Sequence, residues 1–128
     1  MNESDPAPQS VKARVDEFRR LKHGWLDGKG LAPEADQLDW LAAHLESHYP
    51  ADLPAPFLYP MAEGGVQCEW SVGGHEVSLE VSLDDHRGEW HDLDMETQED
   101  SHRDLNLDDA RDWRWVAQQI RNLEGASV

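Results

Sequence analysis

Residues 66–83 read VQCEWSVGGHEVSLEVSL, and this stretch decides the fold. Apolar and polar residues alternate along it on both sides of a Gly-Gly pair, which is typical of a two-residue hairpin turn. Folding the chain at that pair places Trp70 opposite Val77 and Glu69 opposite Ser78, so that one face is apolar and the other polar. A shift of one residue would destroy this agreement. The stretch therefore predicts an antiparallel hairpin with one buried face.

Further strands are predicted on both sides of the hairpin. Phe57 to Pro60 is a short segment bounded by prolines, which suits the edge of a sheet. Glu89 to Met95 is predicted as the next strand of a meander, and residues 96–103 as an acidic loop. Asp104 to Leu107 is a candidate for a short last strand.

The strand from Glu89 to Met95 has two alternative facings. If Leu93 and Met95 point inward, Trp90 points outward. If Trp90 points inward, Asp92 does too, and burial of an unpaired carboxylate is costly. We therefore predict that Leu93 and Met95 face the core and that Trp90 faces solvent.

Three helices are predicted from apolar residues at helical spacing. Ser10 and Asn106 are suited to cap the first and third helices, and Pro33 can open the second in its first turn. The residues expected to end the three helices are Gly24, Pro50 and Gly125.

The predicted fold class is α+β. An antiparallel β-meander of three to four strands carries two N-terminal helices and one C-terminal helix, in the order α-α-β-β-β-β-α. The helices are expected on one face of the sheet, and the other face is expected to be acidic and solvated. Residues 1–9 are predicted to be a disordered lead, and residues 10–125 a single α+β domain.

The chain of 128 residues has a formal net charge of −16, which is unevenly distributed. Residues 30–86 contain eleven Asp or Glu and no Lys or Arg, whereas residues 1–29 are close to neutral. Such a field repels phosphate backbones and anionic membranes, so direct binding to nucleic acid or to a membrane is not expected. The charge favours a basic protein partner, although acidic surfaces also serve solubility alone.

The single cysteine, Cys68, excludes a disulfide within the chain and fits a reducing compartment. The N-terminal residues lack the basic start and apolar run of a secretory signal. No apolar run approaches the roughly 20 residues of a membrane-spanning helix. A cytoplasmic location is therefore expected.

One pair of histidines has a spacing that could hold a metal. His44 and His48 are four residues apart on the second predicted helix, but Leu45 stands where a zinc protease has its general-base Glu. We therefore predict two half-exposed helix histidines rather than a zinc site.

One acidic segment begins like a calcium loop. Asp92 and Asp94 have the right spacing, but Thr97 and Arg103 stand where the loop requires Gly and a bidentate Glu. We predict a solvated acidic turn and no bound metal.

No catalytic motif is present in the sequence. Cys68 faces the interior of the predicted hairpin, where Cys usually behaves as a small hydrophobic residue. The chain has neither a nucleophile elbow nor a glycine-rich phosphate loop. We assign no catalytic residue and no cofactor.

Three of the six Trp residues are expected outside the core. Trp40 and Trp115 each lie roughly 160° around their helix from the centre of its apolar stripe, and Trp90 is expected to face solvent. Exposed Trp is favoured at the hot spots of protein interfaces. The alternative is a core wide enough to cover these rings as well. The predicted partner-binding residues are Trp40, Trp90, Trp115, Glu69, Glu80, Asp92 and Asp94.

Two segments carry a resemblance to a protein family. Residues 24–28 read GWLDG and residues 64–70 read GGVQCEW, with a proline-rich link between them. Over about residues 18–83 the chain resembles a group of small bacterial proteins of unassigned function, which share a Trp-Asp-Gly connector and a Gly-Gly-apolar-Gln-x-Glu-Trp strand. In this chain Leu26 separates Trp25 from the Asp-Gly pair. The resemblance implies a bacterial origin and supplies no catalytic residue.

These observations favour a non-enzymatic domain that associates with or neutralises a basic protein, of the antitoxin, immunity or defence-complex type. Two alternatives stay open. The His- and Asp-rich segment 84–104 could form a small metal-dependent or carboxylate hydrolase. The acidic surface could instead mimic nucleic acid and block a protein that binds DNA or RNA.

Overall fold

A computed structural model describes residues 10–126 of the chain. Residues 1–9, predicted above to be a disordered lead, lie outside the described residues, as do residues 127–128. The elements, in chain order, are α1 (Val11–Phe18), α2 (Ala35–His48), β1 (Phe57–Pro60), β2 (Val66–Val72), β3 (His75–Ser82), β4 (Arg87–Asp94), β5 (Asp100–Asn106) and α3 (Ala110–Ala126).

The five strands form one antiparallel sheet in which every strand pairs with its neighbours in sequence. The predicted α+β meander is confirmed, with five strands in place of three to four. The register of β2 against β3 is the predicted one, since Trp70 pairs with Val77 and Glu69 with Ser78. The central hairpin therefore has the apolar and polar faces that its alternating sequence requires.

The pairing gives the whole sheet two chemically different faces. The covered face packs against the helices and carries Leu58, Val66, Cys68, Trp70, Val77, Leu79, Val81, Trp90 and Leu105. The open face is largely polar and carries Phe57, Tyr59, Gln67, Glu69, Ser71, Glu76, Ser78, Glu80, Ser82, Arg87, Glu89, His91, Leu93, Asp100, His102, Asp104 and Asn106.

The helices bury their apolar residues against the covered face. Leu38, Leu41 and Leu45 of α2 lie on one side of that helix and are buried. The buried residues of α1 and α3 include Val15, Phe18, Trp113, Val116 and Ile120. All of them belong to one continuous core cluster. Each fully buried side chain of this size contributes roughly 1.5–3 kcal/mol, so this burial is the main stabilising term.

The first helix packs on its own chain despite its basic character. The Arg14 Nε donates a hydrogen bond to the backbone oxygen of Leu58 at 3.0 Å, which ties α1 to β1. Arg19 forms an ion pair with Asp39 of α2. Both contacts hold α1 on the covered side, away from the acidic open face.

The proline-rich link between α2 and β1 is fastened by the indole of Trp70. Its Nε1 lies 3.0 Å from the Tyr49 hydroxyl and 3.1 Å from the backbone oxygen of Pro54. The Tyr49 hydroxyl itself donates to the same oxygen of Pro54. Burial raises the pKa of Tyr49 to about 12, so this hydroxyl stays protonated and able to donate.

The facing of β4 differs from the prediction. Trp90 is 2% exposed and lies on the covered face, whereas Leu93 is on the open face and Met95 is exposed beyond the end of the strand. Asp92 shares the face of Trp90, as strand alternation requires. The predicted cost of burying its carboxylate is offset because Asp92 Oδ1 lies 2.6 Å from Nδ1 of His75.

The last strand is longer than predicted. Residues 100–103, expected in an acidic loop, pair with β4 as the first half of β5. Only Leu105 of this strand is buried, so backbone pairing rather than side-chain burial defines it. A strand at the edge of a sheet tolerates such a charged sequence.

Four helix boundaries also differ from the prediction. α2 begins at Ala35 with Glu34 as its N-cap, so Pro33 precedes the helix and is not in its first turn. α1 ends at Phe18 with Arg19 as its C-cap, well before Gly24. At its C-terminal end, α3 continues past Gly125. At its N-terminal end, the cap is Asp109 and not Asn106: Asp109 Oδ1 accepts a hydrogen bond from the backbone N–H of Arg111 at 2.9 Å. Among residues 10–126, no helix combines the length and apolar character needed to span a membrane.

The hairpin turn and α3 approach each other so closely that one position requires glycine. Gly73 and Gly74 both have positive φ, but a Cβ added to Gly73 would lie 2.2 Å from the backbone oxygen of Leu123, whereas one added to Gly74 meets nothing within 4 Å. We expect Gly74→Ala to cost about 1–2 kcal/mol for the left-handed backbone alone. Gly73→Ala should cost about 1–3 kcal/mol more, because the added methyl displaces α3.

Urea denaturation of the two variants measures this difference in the free energy of unfolding. Gly74→Ala is the matched control, since it carries the same backbone penalty without the collision. Equal losses in the two variants would show that α3 does not lie against the turn.

Candidate functional site

The seven residues predicted to bind a partner do not converge on one surface. Glu69 and Glu80 lie on the open face. Asp92 shares the covered face with Val77, and Asp94 is opposite His75 at the end of the same face. The three Trp residues of the set are on the covered side of the sheet, in β4 and in the helices.

Trp90 and Trp115 take part in a packed aromatic row instead of standing in solvent. The Trp90 ring lies 6.1 Å from that of Trp70 and meets Trp115 edge-on at 5.2 Å between centroids. The guanidinium of Arg103 covers the outer side of Trp115, 4.5 Å from the ring centroid. Such cation–π contacts stabilise partly exposed rings by about 0.5–1 kcal/mol. The core is therefore wide enough to include both rings.

Trp40 is half-buried and stacks on a histidine from the β3–β4 turn. The Trp40 and His86 rings are nearly parallel, with centroids 3.7 Å apart. His86 Nδ1 in turn lies 2.8 Å from Oδ1 of Asp108. The Trp40 ring thus holds the β3–β4 turn against α2, and it does not lie on the open face.

The histidines of α2 pack on aromatic rings. His44 and His48 have centroids 5.4 Å apart, and both stack against Trp113 at just over 6 Å. Burial is the main cause that lowers the pKa of His44, with repulsion from His48 adding to it. Both rings are half-buried, and their contacts are those of packing against α3.

Asp92 and Asp94 bracket His75 at one end of the covered face. The Asp92 carboxylate contacts Nδ1 of His75, and Asp94 Oδ2 lies 3.7 Å from its Nε2. Asp94 Oδ1 also accepts the backbone N–H groups of Glu96 and Thr97, and these hydrogen bonds lower the pKa of its carboxyl group. These contacts are those of a turn in which Asp94 serves as the capping carboxylate.

The open face carries a concentration of carboxylates. Its strand residues include the six acids Glu69, Glu76, Glu80, Glu89, Asp100 and Asp104, and its one cationic side chain is Arg87. Glu69 accepts a hydrogen bond from Gln67 Nε2 at 2.7 Å, and Glu76 accepts one from the Ser71 hydroxyl at 2.7 Å. Neutral donors therefore hold some of the carboxylates in place without cancelling their charge.

Two exposed aromatic rings border these carboxylates. Phe57 and Tyr59 are 43% and 42% exposed and lie on the open face of β1. Phe57 is directly opposite Glu69 across the β1–β2 pairing. The strand was predicted at a sheet edge, but its rings were not assigned to a surface. Residues 57–59 are apolar at every position, so the sequence has no alternation that could have revealed which of them face solvent.

The His- and Asp-rich segment 84–104 is divided between the two faces. His91 and His102 lie on the open face, whereas Asp92 and Asp94 lie with His75 on the other. The segment therefore does not bring all of its candidate groups to one place. It does contribute to one convergence with β3, in which ligand atoms of Glu80, Glu89 and His91 lie within 4.8 Å of one another.

The single cysteine offers no accessible nucleophile. Cys68 is fully buried on the covered face between β1 and β3. Burial raises the pKa of its thiol to about 12, which disfavours the thiolate that nucleophilic attack requires. The expectation that Cys68 faces the interior is confirmed.

Comparisons with protein-family models, with curated proteins and with solved structures found no match to this chain. The resemblance based on residues 24–28 and 64–70 stays a prediction.

The burial of Cys68 predicts that its thiol reacts only when the chain opens. We expect negligible reaction with the thiol reagent DTNB in native conditions at pH 8, and complete reaction of one thiol per chain in denaturant. The rate of colour release measures the reactivity in each condition, and its extent measures the number of thiols that react. Rapid native labelling would contradict the placement of Cys68 in the core.

Proposed function

We propose that this chain binds a basic protein through the open face, as an antitoxin, an immunity protein or a subunit of a defence complex would. The contact surface consists of the carboxylates Glu69, Glu80, Glu89 and Asp104 with the exposed rings Phe57 and Tyr59. Trp40, Trp90 and Trp115 stabilise the fold behind this surface and are not part of it.

The observation that carries the proposal is the scarcity of cations on this face. The chain has Arg residues, but several of them interact elsewhere. Arg14 and Arg19 pair with acids on α1 and α2, and Arg121 of α3 pairs with Asp52. Arg103 covers Trp115. Among the strand residues of the open face Arg87 is therefore the one cation beside six carboxylates, so most of their charge is not neutralised.

Uncompensated carboxylates on one face have a direct effect on association. They create a negative potential that attracts a positively charged partner and orients it during the encounter. At an ionic strength near 0.15 M this attraction still extends about 8 Å from the surface. A basic protein is the partner whose charge complements the face.

The exposed rings can supply the apolar contact that charge alone does not. Tyr is enriched at interface hot spots, where it buries a rigid apolar body and keeps a polar tip. Phe57 stands directly beside Glu69, so a basic side chain could pair with the carboxylate while its stem covers the ring. This arrangement combines affinity with charge selectivity.

The size of the face indicates the kind of complex. Five strands about 4.8 Å apart, with an average length of about seven residues, span on the order of 450 Å² of flat area. A complex confined to this area would lie at the small end of protein interfaces, below about 1,200 Å² for both partners together. Such a complex would depend strongly on electrostatic attraction and on salt concentration.

The first test captures the partner and asks whether the open face is responsible. The tagged chain is used to purify binding proteins from its source cells at low salt, in parallel with two variants. Glu69→Lys with Glu80→Lys reverses charge on the open face. Glu46→Lys with Asp36→Lys makes the same change in net charge on exposed positions of α2 and serves as the control.

We expect a basic protein that the wild type and the α2 control retain and that the open-face variant loses. The rate at which the basic protein associates with the open-face variant should be at least about tenfold lower than with the wild type at low salt, because the electrostatic attraction that guides the encounter is removed. Added duplex DNA distinguishes the nucleic-acid mimic, because it would displace a partner that uses its nucleic-acid site. Retention by the open-face variant, or recovery of the chain alone, would exclude the proposal.

A second prediction concerns the aromatic rings. Phe57→Ala with Tyr59→Ala should weaken binding of the captured protein by about 2 kcal/mol or more, the range of a hot spot. The free energy of unfolding should change by no more than about 1 kcal/mol, since both rings are exposed. Titration of partner affinity and urea denaturation measure the two effects.

Leu26→Ala is the control for this experiment, because Leu26 is an exposed apolar residue that does not belong to the open face. It should leave the affinity unchanged. If the ring variant and the Leu26 control bind equally well, the aromatic residues are not contact residues.

A further inference from the structure

Two rows of side chains with metal-ligating atoms lie on the open face, one across β3, β4 and β5 and the other across β4 and β5. In one row Glu80, Glu89 and Asp104 are direct cross-strand neighbours, and in the next row His91 and His102 are. Directly opposed residues of antiparallel strands have Cβ atoms about 4.5–5.5 Å apart. Five potential ligands, two of them imidazoles, therefore project from one small area.

Three of these side chains already converge. One ligand atom from each of Glu80, Glu89 and His91 lies within 4.8 Å of the other two. His91 Nε2 is 3.3 Å from Glu80 Oε2. Two ligands bound at about 2.0 Å to a tetrahedral ion are themselves about 3.3 Å apart, so this pair has the separation of two ligands of one ion.

The charges in this cluster favour a cation between them. Glu80 and Glu89 are directly opposite each other, and like charges in that position destabilise a sheet. Within the described part of the chain, the Glu89 carboxylate makes no hydrogen bond or ion pair, and Glu80 has only His91. A divalent cation would convert the repulsion between the two carboxylates into attraction to a shared charge.

We infer that Glu80, Glu89 and His91 form a binding site for a divalent transition-metal ion, with Zn²⁺ as the best match and His102 as the fourth ligand. Zn²⁺ accepts imidazole nitrogen together with carboxylate oxygen, whereas Mg²⁺ and Ca²⁺ prefer oxygen ligands alone. His102 is the cross-strand partner of His91, and the two ring centroids are 6.1 Å apart. His102 is not among the three side chains that already converge, so a change in its side-chain rotamer is required for it to serve as the fourth ligand.

The surroundings of the cluster allow an ion to enter. Glu80 and Glu89 both line a cleft of about 470 Å³ that also includes Arg87 and Gly65. The ring of His91 is exposed on the open face. The site is therefore reachable from solvent without unfolding of any strand.

The test uses the full chain without an affinity tag, after metal removal with EDTA and removal of the EDTA itself. Isothermal titration calorimetry with ZnCl₂ and separately with MgCl₂ measures affinity and stoichiometry. The site variants are His91→Ala, Glu89→Gln and His102→Ala. The control is Glu76→Gln, which makes the same change of charge on the same face of β3, where Glu76 contacts Ser71.

We expect one equivalent of Zn²⁺ per wild-type chain and no saturable binding of Mg²⁺. Each site variant should bind Zn²⁺ at least about tenfold more weakly, since loss of even an outer-shell partner costs a metal site this much. The Glu76 control should bind as the wild type does. All four variants lie on the open face, and circular dichroism verifies that each stays folded.

The inference is overturned if the wild type shows no saturable Zn²⁺ binding, or if His91→Ala and Glu89→Gln bind Zn²⁺ as tightly as the wild type does. The latter outcome would assign the metal to another histidine of the chain. Metal binding is measured on the isolated chain, so its result is independent of whether a basic partner is captured.

Discussion

The register of β2 against β3 determines which side chains meet the helices and which meet solvent. Side-chain facing alternates along a strand and is the same for two paired residues. The register of β2 against β3 therefore also sets which side chains of β1, β4 and β5 face the helices. The backbone of Gly73 also lies against the end of α3, so the hairpin turn and that helix fix each other's position. The separation of an apolar face from an acidic one follows from this single constraint.

How far the sequence predicts the fold depends on where the stabilising partner of each residue lies. The central hairpin could be predicted because its partners are close in sequence and its Gly-Gly turn is distinctive. The inward facing of Trp90 could not, since the histidine that offsets burial of Asp92 is 17 residues away. Gly88 points inward as well, but it has no side chain to add to the apolar pattern. The first half of β5 was missed because residues 100–103 bury no side chain, so their sequence shows no apolar alternation and only backbone pairing defines them.

The candidate site was predictable to a similar extent. The open-face position of Glu69 and Glu80 follows directly from the hairpin. The packing of Trp40 and Trp115 does not, because a helical stripe shows only which side of a helix is apolar. The stripe cannot show that residues from other elements cover the opposite side. His86 covers Trp40, and Arg103 and Trp90 cover Trp115. The convergence of Glu80 with Glu89 and His91 required the register of β3 against β4.

Repulsion between the carboxylates of the open face destabilises the fold. A role in solubility alone therefore does not explain why the face is acidic. Opposed carboxylates such as Glu80 and Glu89 repel each other across the sheet. A Lys or Arg placed between them would relieve this repulsion. The chain instead uses several of its arginines to join α1 to α2, to cover Trp115 and to hold α3. The six acids and the single Arg on the strands of the open face form an arrangement that a positively charged ligand, whether a protein or a metal ion, would stabilise on binding.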